Sequence, residues 1–221
     1  MIPKIPALKT GAGILSKKGS AVMTILYTLG DKLYINVTNR CPCSCKFCIR
    51  YNGSGVGDAE NLWLTQEPTA QEVIEALSQE DLSRYRQIVY CGYGEPLCAL
   101  DTVLQSARYL KEHTSTPVRI NTNGMGDLIN GRPVVPLLKG LVDSISISLN
   151  APDADSFYEL CRPSFGRRAY EAMLDFTRAC KPIIPHVIVS VVDYIDAQSI
   201  ARCREIAEDL GVEFRVREWE H

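Results

Sequence analysis

The sequence predicts an α/β protein of six strand–helix units around a mainly parallel sheet, with a β-hairpin in front. Runs rich in valine and isoleucine recur at 33–38, 87–91, 118–122, 143–149, 186–192 and 212–216, and polar or glycine residues follow their ends. Between most of them lie segments with apolar residues at helical spacing. Such alternation argues for parallel strands with helices outside. Six units fall short of the eight that close a full barrel.

Residues 24–29, the turn Gly30-Asp31 and 32–38 read as the hairpin entering the first core strand. The polar, glycine-rich stretch 51–63 reads as a mobile loop over the site, with 52–57 as a lid. Its glycines are a flexible connection rather than a phosphate loop, because no Lys-Ser/Thr follows and no helix opens directly after. Thr69 and Glu72 form a capping box behind Pro68, and Ala70, Val73, Ile74 and Leu77 make one apolar helix face. Asp101 is expected to cap the next helix, with Leu104, Ala107 and Leu110 inward. A short helix is expected around 134–139, ended by Gly140. A longer one follows on Ala169, Met173, Phe176 and Cys180, and the last runs on Ile200, Cys203, Ile206 and Leu210 to Gly211.

At 221 residues, 46% of them hydrophobic, the chain suits one domain with a sizeable core. Residues 1–22 carry four lysines and no acid, so the net charge of −2 becomes −6 over 23–221. That acidic balance gives nucleic acid no support as a partner. Residues 1–22 are expected to be a disordered extension, with Met23 as the natural start and 23–221 as the core domain. Nine cysteines, an odd number, without a recognisable secretory leader argue for a reducing, cytoplasmic setting. No apolar run approaches the roughly 18–20 residues of a membrane helix.

The stretch 36–50 reads NVTNRCPCSCKFCIR and follows the first strand. Cys41, Cys45 and Cys48 have the spacing C-x3-C-x2-C. Clustered thiolates suit zinc or iron–sulfur. Structural zinc usually takes two separated ligand pairs, and Cys91 and Cys98, which flank a turn, do not make the second. Three ligands on one loop leave one iron of a four-iron cluster free, which is the open position catalysis needs. Cys43 could compete as a ligand but reads as a spare thiol in the loop. Cys91, Cys98, Cys161, Cys180 and Cys203 read mostly as buried small apolar residues.

At these residues the sequence resembles the radical S-adenosylmethionine (radical SAM) enzymes, whose C-x3-C-x2-C signature often has an aromatic before the last cysteine; Phe47 fills that place. The resemblance implies a [4Fe-4S] cluster on Cys41, Cys45 and Cys48, S-adenosylmethionine (SAM) on the fourth iron, and a partial (β/α)6 barrel. Tyr93-Gly94-Glu95-Pro96 resembles the family's Gly-Gly-Glu-Pro motif, with tyrosine for the first glycine, which implies that Gly94 and Glu95 meet the SAM amino group. Asn121-Thr122-Asn123-Gly124 resembles a T-N-G turn of several subfamilies, which implies that Asn121 and Asn123 contact ribose or carboxylate; its bland counterpart is a polar turn with Gly124 at positive φ. Ser148 and Asn150 sit where family members reach the ribose, and Arg162 could pair with a carboxylate of SAM or substrate, ahead of Arg50 and Arg119.

The run LYINVTNRCPCSCKFCIR with YGEPL further resembles the small TatD-associated radical SAM proteins, which implies a link to a TatD-type hydrolase and names no substrate. The family chemistry implied is reductive cleavage of SAM to a 5′-deoxyadenosyl radical that takes hydrogen from substrate, with an external electron donor such as flavodoxin or ferredoxin. Substrate readings left open are a macromolecule, as in glycyl-radical activation, and a nucleotide-related compound, as in deazapurine synthesis. A non-catalytic iron–sulfur or zinc-binding regulatory module is the alternative of a different class.

Overall fold

The computed structural model describes residues 23–51 and 55–219. The expected extension at 1–22 therefore lies outside the described residues, as do three residues of the expected lid.

Strands β1 (Leu26–Leu29) and β2 (Lys32–Ile35) form the antiparallel hairpin, turning on Gly30 at φ 62°. From β2 onward every pairing is parallel: β3 (Gln87–Tyr90), β4 (Val118–Thr122), β5 (Ser144–Ser148), β6 (His186–Val192) and β7 (Glu213–Arg217). The sheet order follows the chain from β1 to β7, so the expected hairpin and six parallel strands are present, as a partial barrel.

Helices α1 (Ala70–Ser78), α2 (Leu100–His113), α3 (Gly126–Asn130), α4 (Val135–Leu138), α5 (Ala154–Cys161), α6 (Arg168–Cys180) and α7 (Ala197–Leu210) fill the crossovers. The capping box on α1 is complete: Glu72 N–H donates to Thr69 Oγ1 at 3.2 Å, and Thr69 N–H to Glu72 Oε2 at 2.8 Å. Helix α7 ends at Gly211 as expected. Asp101 is not a cap: α2 begins at Leu100, directly after the 3₁₀ turn Pro96–Ala99, and Asp101 lies in its first turn, where the helix dipole favours an acid. Helices α3 and α5 were not anticipated, being too short for a periodic signal; Asp153 caps α5 through Ser156 N–H.

Alternation sorts the strands into two faces. Leu33, Ile88, Ile120, Ile145 and Val189 are fully or almost fully buried in the core between sheet and helices. Tyr34, Val89, Arg119, Asn121, Ser146 and Ser190 point into the concave side. Residues 55–64 are fastened rather than free: Asp58 accepts from Thr28 N–H and Oγ1 at 2.5 and 2.6 Å, Asn36 Nδ2 donates to Leu62 O at 2.8 Å, and Leu62 is fully buried. Among the described residues, no helix is long and apolar enough to cross a membrane.

Candidate cluster and cofactor site

The loop after β2 is anchored from both sides. Helix α5 presents its last carbonyls: Ser44 N–H donates to Cys161 O and Lys46 N–H to Leu160 O, both at 3.0 Å. Ser164 N–H returns to Pro42 O at 2.8 Å, and Glu95 N–H reaches Arg40 O at 2.8 Å. An element the sequence did not reveal therefore shapes the cysteine loop.

Cys41, Cys45 and Cys48 are half-buried, whereas Cys43 and Cys161 are buried. The Cys43 S–H lies between Cys41 and Cys45, and Cys161 hydrogen-bonds Cys45. These thiols, Cys161 first, push the Cys45 thiol down to about 4, helped by the Arg50 charge, and Cys43 lowers Cys41. Burial raises Cys48. Cys43 and Cys161 are driven far up by the same hydrogen bonds and by burial. The spare-thiol reading of Cys43 thus acquires a role: it hydrogen-bonds its neighbours, and Cys41 and Cys45, two of the three ligand candidates, are shifted toward the thiolate that binds metal.

Among the described residues, no three His, Cys, Asp or Glu side chains are grouped to hold a single metal ion. A four-iron cluster asks for something else, one thiolate at each of three separate irons. The donor set fits that group.

Gly94 is forced by packing, since a Cβ there would strike the carbonyl oxygens of Thr38 and Arg40 in the loop that leads to the cysteines. Glu95 is buried. Its Oε1 accepts from Thr122 Oγ1 at 2.7 Å and Leu97 N–H at 3.1 Å, and its Oε2 from Asn123 N–H at 2.7 Å. Burial raises its carboxyl to about 7 against these hydrogen bonds. Glu95 thus braces the end of β4 against the end of β3. Gly124 has the positive φ of 77° expected of a polar turn.

Asn121 faces the concave side beside Cys91, and Asn123 accepts Met125 N–H through Oδ1 at 2.9 Å. Ser148 ends β5 with no hydrogen bond from its hydroxyl among the described residues. Asn150 sits at φ 57°, buried, with Nδ2 3.7 Å from Cys161 Sγ. Asn121 Oδ1, Asn123 Nδ2 and Asn150 Oδ1 are buried atoms without a hydrogen-bond partner. Such atoms call for a ligand or water. All three belong to the concave wall or to strand-end turns.

Arg162 is the cap of α5 at φ 47°, next to the loop's anchor on that helix, but its side chain is exposed and makes no hydrogen bond or ion pair among the described residues. Cys91 and Cys98 are half-buried rather than fully buried, and both follow the end of β3. Phe47 packs at 5.9 Å from Tyr194, which in turn meets Trp219 edge-on at 4.8 Å. The sequence reading missed Tyr194, Trp219 and Arg217; all follow or end the last two strands, where the rule that function sits at strand ends would have found them. A cleft of about 460 Å³ between Gln87, Pro117, Ser144 and His186 opens at the opposite strand ends and holds none of these residues.

A family model described as the radical SAM superfamily matches residues 35–210. The protein described as probable dual-specificity RNA methyltransferase RlmN of Dictyoglomus turgidum is 31% identical over 125 residues, covering 50% of this chain and 33% of that protein. Its namesake from Nocardioides sp. is 26% identical over 155 residues, covering 64% and 40%. The chain spans about a third to two-fifths of the length of these relatives. Among solved structures, Streptococcus suis SuiB bound to S-adenosylmethionine superposes with a TM-score of 0.64 at 16% identity, covering 86% of this chain and 41% of that one. HydG, a maturase of the [FeFe]-hydrogenase, gives 0.59 at 14%, covering 86% and 42%. At such identities the likeness is one of fold. With the family model spanning most of its length, the chain belongs to the radical SAM superfamily, a superfamily of enzymes.

Proposed function

We propose that the protein holds a [4Fe-4S] cluster on Cys41, Cys45 and Cys48, binds S-adenosylmethionine against it, and uses the pair to take hydrogen from a substrate in the concave side of the sheet. The observation that carries this reading is the thiol arrangement. Three half-buried cysteines share one anchored loop, and the buried thiols of Cys43 and Cys161 hydrogen-bond them from behind. When bound, the cluster would supply one electron to break the sulfonium bond of SAM. The chain's own tasks are to keep Cys41 and Cys45 as thiolates, to orient SAM with Asn121, Asn123, Ser148 and Asn150, and to hold the strand ends in register through Glu95. Phe47 and Tyr194 would flank the adenosyl moiety and keep water from it.

The anaerobic full chain, reconstituted with iron and sulfide, should form 5′-deoxyadenosine from SAM and dithionite, and Cys45→Ala should not. An intact four-iron cluster whose EPR spectrum ignores SAM would overturn the reading. About one zinc and no sulfide would favour a regulatory zinc module. An electron donor such as flavodoxin or ferredoxin, a TatD-associated role and a reducing cytoplasmic setting belong to the same proposal; nine unpaired cysteines support the last. RNA methylation is a second reading, supported by the two RlmN relatives.

A further inference from the structure

The register of the sheet gathers an unpaired basic wall. Arg119 pairs with Ser144, and Ser144 with His186. The same face runs up β6 through Ser190 and Val192, whose partners are Arg215 and Arg217. Among the described residues, none of the three guanidinium groups has a hydrogen bond or ion pair to the protein. Arg119 is only 8% exposed and its Nε is unpartnered, as is that of Arg217. The carboxylate this face carries on its strands, Glu213, stands 3.8 Å from His186 at the far end. Burial first, then the neighbouring Arg215, holds the Arg119 guanidinium below its usual value. A buried cation without a partner is strongly unfavourable until a counter-ion arrives.

We propose that Arg119 and Arg215, with Arg217 above them, bind the phosphate monoester of a small phosphorylated substrate inside the half-barrel. This rests on the radical SAM reading, because it assigns the substrate of that site. Arg119 lies two residues before Asn121, about 7 Å below the strand ends along β4, so an anchored phosphate would leave the rest of the substrate reaching up toward the cysteine loop. Several guanidinium groups without a carboxylate match a monoester carrying nearly two charges better than a single carboxylate, and the planar fork suits its oxygens. Arg119 is buried at the floor of the wall, Arg217 is partly buried and Arg215 is exposed above it; residues 23–221 carry a net −6, which disfavours a folded polyanion.

Calorimetry on the reconstituted full chain at constant ionic strength tests this, with inorganic phosphate as probe, acetate as the singly charged comparison and an unphosphorylated RNA dodecamer as the macromolecular arm. Phosphate should bind at one site per chain, about tenfold or more tighter than acetate. Arg119→Gln and Arg215→Gln should each weaken it about ten- to a hundredfold. Arg86→Gln, which removes a surface partner of Asp31, should not. Arg119→Gln should melt no lower than the parent, since it removes an unpaired charge; a structural arginine would lower the melting temperature. Phosphate binding no tighter than acetate, unchanged binding in Arg215→Gln, or RNA binding that phosphate does not displace would each overturn the proposal. SAM cleavage measured on the same preparation separates its failure from failure of the radical SAM reading.

Discussion

On the outer face of the sheet Ile120 and Ile147 are fully buried against the helices, and around them the crossovers are closed by caps and apolar contacts. One residue earlier in each strand, on the inner face, stand Arg119 and Ser146, followed along β4 by Asn121. The buried polar atoms without a partner gather on that inner face and at the strand ends above it. The same backbone ladder serves both faces, so the contrast comes from side chains alone. The outer face gains its free energy by leaving water. The inner face keeps polar groups poorly satisfied, which is how a folded chain retains free energy for a ligand.

Four substitutions sharpen or break this contrast. The largest effect is expected on the outer face. Phe176→Ala on α6, where the ring is buried, should cost about 3–5 kcal/mol in denaturant unfolding. Ser146→Ala on the inner face should cost less than about 1 kcal/mol, since its hydroxyl has no partner to lose among the described residues. Equal losses would mean that both faces are structural core.

An intermediate effect is expected where the faces meet, at Glu95. Its folded-state carboxyl titrates near 7, above the ordinary value of 4.5. The folded state therefore binds the proton more tightly than the unfolded one between those values. Stability from this group is fully present below about pH 4.5 and is lost as pH rises through 7, by about 3 kcal/mol. Glu95→Gln should flatten that slope in unfolding measured across pH 5–8; an unchanged slope would remove Glu95 as its source. A small effect belongs to the helix cap. Thr69→Ala breaks the capping box of α1 and should cost about 1 kcal/mol in thermal melts, without altering cluster content or SAM cleavage.

Much of the fold was legible because its signals are local. Strand runs, the α1 capping box and Gly211 after α7 state their conformations within a few residues. The lid expected at 52–57 was misread in part: Gly57 is rich in freedom by composition, yet it packs on Thr28 and the adjoining Asp58 locks to the hairpin. The cysteine spacing marked the site, but the partners of those cysteines did not follow from it.

By itself the sequence determined the alternation of strands and helices, the number of parallel strands and the position of the three-cysteine loop, because periodicity and turn chemistry act over one or two turns of chain. Only the tertiary structure decided that Cys161, from a helix too short to announce itself, would hydrogen-bond Cys45, and that Glu95 would bind the end of β4. It also set arginines of β4 and β7 on one wall. These contacts join residues from 27 to 116 positions apart in the chain. Parallel register and burial create them, and neither is written in any local stretch.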